Sequence, residues 1–220
     1  MPTSAVLQIF ESCLVIFTAL FPIVNPLANA PIFLSLTPGY SSVARSTLAT
    51  KVALNSFWLL TGSMLIGSHI LDFFGISVPV VQIGGGMVVV STGWTLLQRD
   101  AQQERESVQG KVSTADIASR AFYPLTLPLT VGPGSISVAI TLGANHTAHQ
   151  ENAVSFAAAI LGPAIMAFTI FLSYRFAERV ARLLGPTAMN VIVRLASFIL
   201  VCIGVQILWN GIKALLALPR

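Results

Sequence analysis

Residues 21–33 read FPIVNPLANAPIF, and residues 123–135 read YPLTLPLTVGPGS. Pro22, Pro26 and Pro31 of the first stretch recur as Pro124, Pro128 and Pro133 of the second, each 102 positions later. A proline has no amide donor and its ring collides with the preceding helical turn, so three of them this closely spaced interrupt any helix that contains them. Both stretches nevertheless sit inside uncharged apolar runs of the length that crosses a bilayer. The sequence therefore predicts a membrane protein with two broken spans.

Composition points the same way. Hydrophobic residues make up 55% of the 220, charged residues only 9%, and the mean hydropathy is +0.81. A soluble domain carries nearer a quarter charged residues, so lipid is the expected solvent for this chain. Apolar windows fall at residues 5–36, 49–74, 78–98, 117–142, 152–174 and 191–216. The first window has no basic stretch before it and no small-residue cleavage site, and reads as a retained span. The one long polar stretch, residues 99–116, divides the chain nearly in half. The expected fold is an all-α integral membrane protein of six transmembrane segments. A three-helix repeat (1–98) and a second one (117–220) are joined by a cytoplasmic linker (99–116), with segments one and four discontinuous. An odd number of spans per half makes the two repeats inverted. Segments three and six align more weakly at an offset of 111, which sets Gly93 against Gly204.

Of the twelve Lys and Arg residues, ten fall in alternate connections: Arg45, Lys51, Arg99, Arg105, Lys111, Arg120, Arg175, Arg179, Arg182 and Arg194. Lys213 and Arg220 alone lie on the opposite side, which places both termini outside the cytoplasm. The net charge of +4 thus reads as a topology signal, with no nucleic-acid partner implied.

In hydrocarbon each unpaired backbone group costs several kcal/mol, so irregular backbone must be buried in protein or line a wet cavity. The two breaks are accordingly expected to face each other near the midplane, with one half of the molecule moving against the other around them. A broken helix offers N–H groups at one half-helix end and C=O groups at the other, which suits a zwitterion. The side chains available there hydrogen-bond but carry no charge: Asn25 and Asn29 in the first break, Thr126, Thr130 and Ser135 in the second. Gly132 and Gly134 permit close backbone approach. For each polar residue taken singly, a second reading stands beside substrate contact, in which it serves only to satisfy broken backbone or to join helices.

Other features read as packing or surface. Gly84, Gly85 and Gly86 lack the Lys-Ser/Thr of a phosphate loop and suit a close helix contact. Gly162-Pro163 predicts a kink in segment five, and Trp94 and Trp209 suit an interfacial belt, with Trp58 deeper. Cys13 and Cys202 are isolated packing thiols, and His146 and His149 lack a third ligand. There are no paired intramembrane acids, no serine elbow and no HExxH, so neither an enzyme nor a cofactor is expected. A coupling ion, proton or sodium, is left undefined, Glu11 being the nearest acid and an interfacial one.

NPLANAPIF, then YPLTLPLTVGPGSI, then LVCIGVQILWNGI in the sixth segment resemble the MarC family of bacterial inner-membrane proteins over essentially the whole chain. The family's first motif falls on Asn25, Pro26, Asn29 and Pro31, and its second on Pro124, Pro128, Gly132, Pro133 and Gly134. Ala28 departs from the pattern, since many relatives carry Gly there, and its methyl narrows the first break. Because relatives include SnatA-type transporters, the resemblance implies a carrier of small neutral amino acids such as glycine or alanine, working by alternating access and in the direction of export. A channel or permease for another small neutral solute is the alternative, and counterflow distinguishes the two.

Overall fold

The computed structural model describes residues 2–37, 40–98, 119–149 and 153–217. The linker expected at 99–116, with Arg99, Arg105 and Lys111, and the C-terminal Arg220 lie outside them, as do the side chains of His146 and His149. Among the described residues all regular structure is helical: α1 (Pro2–Val24), α2 (Pro26–Ser35), α3 (Ser42–Phe73), α4 (Val78–Gln98), α5 (Ala121–Thr130), α6 (Pro133–His149) and α7 (Ala153–Leu216). Four stretches are long and apolar enough to cross a bilayer: Ala5–Leu34, which takes in α1 and α2, then Val78–Gln98, Ala153–Val180 and Asn190–Leu216. Pro133–Ala144 is apolar but shorter. At 32 residues α3 has the length, and the polar residues Arg45, Lys51, Asn55, Ser56 and Thr61 dilute its apolarity.

Local chemistry moves several expected boundaries. α3 starts at Ser42, ahead of the apolar window at 49, because the Ser41 hydroxyl accepts from the Ala44 amide (3.2 Å) and caps the helix. Segments five and six are joined by helix rather than by a loop. The interruption in α7 is Gly185, at φ 72 and ψ 168, a conformation glycine reaches without a Cβ penalty, and Pro186 follows it. Gly162 and Pro163, where a kink was expected, keep helical dihedrals. The bare Gly162 instead lets the Ile16 side chain of α1 close onto α7. Cys13 is buried as expected, whereas Cys202 is exposed on the outer surface of α7. Trp58 also faces outward.

The helices sort into two bodies. The continuous apolar core draws on α1, α2, α3, α5, α6 and the N-terminal arm of α7, from Cys13, Ile16 and Leu20 through Val52, Met64 and Val131 to Ile170 and Tyr174. No residue of α4 or of α7 beyond Gly185 belongs to that cluster among the described residues. Those two stretches pack on each other instead, along a seam of small residues. A Cβ built on Gly86 would lie 2.7 Å from the Leu208 amide nitrogen and 2.8 Å from the Gly204 carbonyl oxygen. One on Gly93 would lie 3.0 Å from the Ser197 carbonyl oxygen, and one on Gly211 2.8 Å from that of Pro79. The pairs 79 with 211, 86 with 204 and 93 with 197 rise on one helix as they fall on the other, so the helices are antiparallel. Small residues spaced seven apart on both sides keep one stripe of each in contact.

Candidate functional site at the two helix breaks

The first break is a single residue wide. Asn25 stands between α1 and α2 in the left-handed region (φ 44, ψ 58), which asparagine tolerates better than most residues, and Pro26 opens α2. The Ala28 amide turns to the Asn25 side-chain oxygen (3.4 Å), which leaves the Val24 carbonyl without its helical donor. Asn29 supplies the replacement, its Nδ2 donating to the Val24 oxygen at 2.8 Å.

The second break is wider. Tyr123 and Leu127 within α5 and Val131 after it have extended dihedrals. Hydrogen bonds here reach back five residues: the Val131 amide donates to the Thr126 carbonyl (2.8 Å), the Thr126 hydroxyl to that of Ala121 (2.6 Å) and the Thr130 hydroxyl to that of Leu125 (2.6 Å). Since the single Thr130 proton is spent on Leu125, the Tyr174 hydroxyl, 2.7 Å away, is the donor of that pair. Tyr174 is buried and stacks on Phe33 of α2, centroids 4.5 Å apart, so one side chain braces both breaks. Asn55 of α3 adds a 3.4 Å hydrogen bond to the Thr126 hydroxyl.

The two breaks meet through Asn29. The Leu129 carbonyl would bond residue 133 in a regular helix, but residue 133 is proline and has no N–H. Asn29 Nδ2 donates to it instead at 2.9 Å, so one amide group serves both interruptions. Asn29 and Val131, 102 positions apart, are 6% and 0% exposed. Side chains flanking the breaks are less uniform: Leu27, Phe122 and Tyr123 turn outward.

Beside this junction lies a cavity of about 490 Å³. Asn25, Asn29, Thr130, Gly132, Pro133, Gly134 and Ser135 line it, together with Pro124 and Leu129. The opposite wall is α4, with Val88, Val89, Thr92 and Leu96, and Leu200 of α7; Ile23, Ile32 and Leu36 complete it, and among the described residues no charged one takes part. Of the remaining expected site residues, Pro26 and Ala28 are buried in α2 away from the lining, Pro31 is half-buried there, Thr126 is buried under Asn55, and Pro128 falls within α5. Sequence reasoning missed the α4 wall, Leu200 and Tyr174. Tyr174 carried a signal, as a hydroxyl in an apolar span, whereas Val88, Val89 and Leu200 look like any lipid-facing aliphatic residue. At the α6 end α4 closes on the second break. The Val89 side chain occupies the place of a Cβ on Gly134, Ser137 that of one on Gly85, and the Ser137 hydroxyl donates to the Val81 carbonyl (2.8 Å).

At the opposite end Arg45 ties α2 to α7. Its guanidinium pairs with Glu178 at 2.9 Å and donates to the Thr37 carbonyl (3.1 Å) and hydroxyl (3.3 Å) just past the end of α2.

The profile of the MarC family of integral membrane proteins matches residues 10–216, a span that holds both breaks and the whole cavity. The chain belongs to the MarC family. It is similar to the membrane protein YhcE of Escherichia coli K12, at 32% identity over 90% of this chain and 91% of that protein. An Aquifex aeolicus membrane protein is 31% identical over 91% of this chain and 92% of its own length. The inner membrane protein MarC of Escherichia coli O1:K1 is 30% identical over 94% and 96%. No solved structure matches the chain.

Proposed function

We propose that this MarC-family protein is a carrier of small neutral amino acids, of the size of glycine or alanine, and not an enzyme. The observation that carries the reading is the meeting of two helix breaks, bridged by Asn29, at a cavity lined by uncharged hydrogen-bonding groups. The first turn of α6, entered through Gly132 and Pro133, sets Gly134 and Ser135, whose amides have no carbonyl one turn earlier in the helix to bond, on the cavity lining where a carboxylate would sit. The side-chain oxygens of Asn25 and Asn29 and the hydroxyl of Thr130 are acceptors for an ammonium. A solute with net charge would find no counter-charge among the described lining residues.

Six spans follow from this reading: α1 with α2, α3, α4, α5 with α6, and the two arms of α7. Two features support an inverted repeat of 1–98 and 117–220. Asn25, the non-helical residue of the first break, and Leu127, the middle one of the three extended residues at the second, stand 102 positions apart. In the glycine seam, an offset of 111 converts Gly86 to Ser197 and Gly93 to Gly204, and the contacts made are Gly86 with Gly204 and Gly93 with Ser197. A two-fold axis demands that reciprocity, in which each residue meets its partner's equivalent. The packing also suggests which parts move: α4 and the C-terminal arm of α7, one helix from each half, rock as a pair against the core that holds the breaks. Leu36 and Leu96, at the ends of α2 and α4, line the cavity while α4 closes on α6 at its other end, and in this reading that asymmetry is a carrier open to one side.

The test is counterflow. Proteoliposomes preloaded with unlabelled alanine should accumulate labelled glycine and alanine saturably, with Asn25→Gly strongly impaired at equal protein content. Flux without counterflow would point to a channel, and no flux of either solute would remove the assignment.

A further inference from the structure

The cavity has two walls of unlike chemistry. The helix breaks supply Asn25, Asn29, Thr130 and Ser135, whereas α4 and α7 opposite supply Val88, Val89, Leu96 and Leu200, together with Thr92, whose hydroxyl donates back to the Val88 carbonyl at 2.8 Å. The 490 Å³ volume is several times that of a glycine zwitterion. A solute confined to the polar wall would leave the aliphatic wall against water, an arrangement that any apolar group filling the space would improve.

The position of Val89 sharpens this. Its side chain lies directly on the Cα of Gly134, in the first turn of α6, where the proposed function holds the carboxylate. The side chain of an α-amino acid leaves the carbon next to its carboxylate, so it would emerge beside Val89. Leu200 stands 111 positions beyond Val89, the offset that aligns segments three and six, so each half contributes the same position to this wall.

We propose that Val88, Val89 and Leu200 receive the apolar side chain of a neutral aliphatic amino acid whose charged ends are held at the helix breaks, and that they set the largest side chain the site accepts. The inference rests on the transport reading and extends its substrates beyond alanine to branched aliphatic amino acids.

Alanine counterflow in proteoliposomes, competed by glycine, alanine, valine and leucine, tests it in the parent protein and in two variants. Valine and leucine should compete in the parent. Leu200→Ala enlarges the wall and should improve leucine relative to alanine about tenfold, the order of discrimination that hydrophobic pockets achieve per methylene or two. Val88→Phe narrows it and should weaken leucine and valine relative to glycine by a similar factor. Val88 is 38% exposed, so the larger ring is compatible with folding and this variant decides the matter if Leu200→Ala is unstable. A parent that carries alanine but ignores valine and leucine, or variants that keep the parent's size order, would overturn the wall assignment alone. A parent without counterflow of any neutral amino acid would overturn the transport reading and this inference with it.

Discussion

At the scale of single residues, Asn29 and Asn25 divide the work of the first break in different ways. Asn29 is structural, since its Nδ2 satisfies carbonyls on two segments 105 positions apart, Val24 and Leu129. Asn29→Ala or Asn29→Asp removes both donations, and each buried carbonyl left unpaired costs about 1–3 kcal/mol. Thermal unfolding in detergent should therefore show a loss of at least about 2 kcal/mol for either variant; an unchanged midpoint would mean the bridge is not made. Asn25 combines a left-handed backbone with a side chain facing the cavity. Asn25→Ala should cost about 1 kcal/mol or more through its positive φ alone. Asn25→Gly accepts that backbone, so it should keep stability to within a few tenths of that and lose substrate affinity. Equal destabilisation by Ala and Gly would show that the side chain, rather than the backbone, matters to the fold.

At the scale of elements, the glycines of α4 are not equivalent, although they are adjacent in sequence. A Cβ on Gly84 meets nothing within 4 Å, while one on Gly86 meets backbone atoms of Leu208 and Gly204 that cannot turn aside. Gly84→Ala should be neutral or stabilising by up to about 1 kcal/mol from helix propensity. Gly86→Ala should force the α4 and α7 axes apart and destabilise the protein by about 1–3 kcal/mol, the usual range for overpacking. Matched unfolding curves for the two variants check this, and similar stabilities would argue against the seam. Other helix ends are fixed more locally. Ser41 starts α3 and Gly185 interrupts α7, each through chemistry confined to one turn. The rungs Phe33 on Tyr174, tying α2 to α7, and Arg45 on Glu178, tying α3 to α7, join residues more than a hundred positions apart, and no local signal announces them.

At the scale of the whole molecule, the distribution of basic residues and the cavity make one joint prediction. The sequence reading assigns ten of the twelve Lys and Arg to the cytoplasmic side, Arg45 among them, and Arg45 stands at the end of the molecule where Leu36 lines the cavity. The state described is thus expected to face the cytoplasm. In a variant lacking Cys13 and Cys202, Thr92→Cys should react with a membrane-impermeant thiol reagent in inside-out vesicles and remain protected in right-side-out ones. The reverse pattern would invert either the topology or the accessible side, and a reporter fused after Arg220 would tell which, since its appearance in the cytoplasm inverts the topology.

The sequence alone determined that this chain is helical and belongs in lipid, and where two of its helices must fail, because hydropathy and the missing amide of proline act within a turn or a window and need no partner. It also marked Asn25, Asn29, Thr130, Gly132, Pro133, Gly134 and Ser135, which the fold brings to one cavity. What it could not determine is how the helices group. Reading by halves suggested that one repeat moves against the other, yet the packing unites α4 with the C-terminal arm of α7 across the halves and leaves the rest as a core. Aliphatic residues facing lipid, core or cavity are chemically alike, so Val88, Val89 and Leu200 acquire a role only once tertiary structure sets a polar break opposite them. Partner choice between helices depends on shape summed along a whole seam, and shape at that range exists only in the folded molecule.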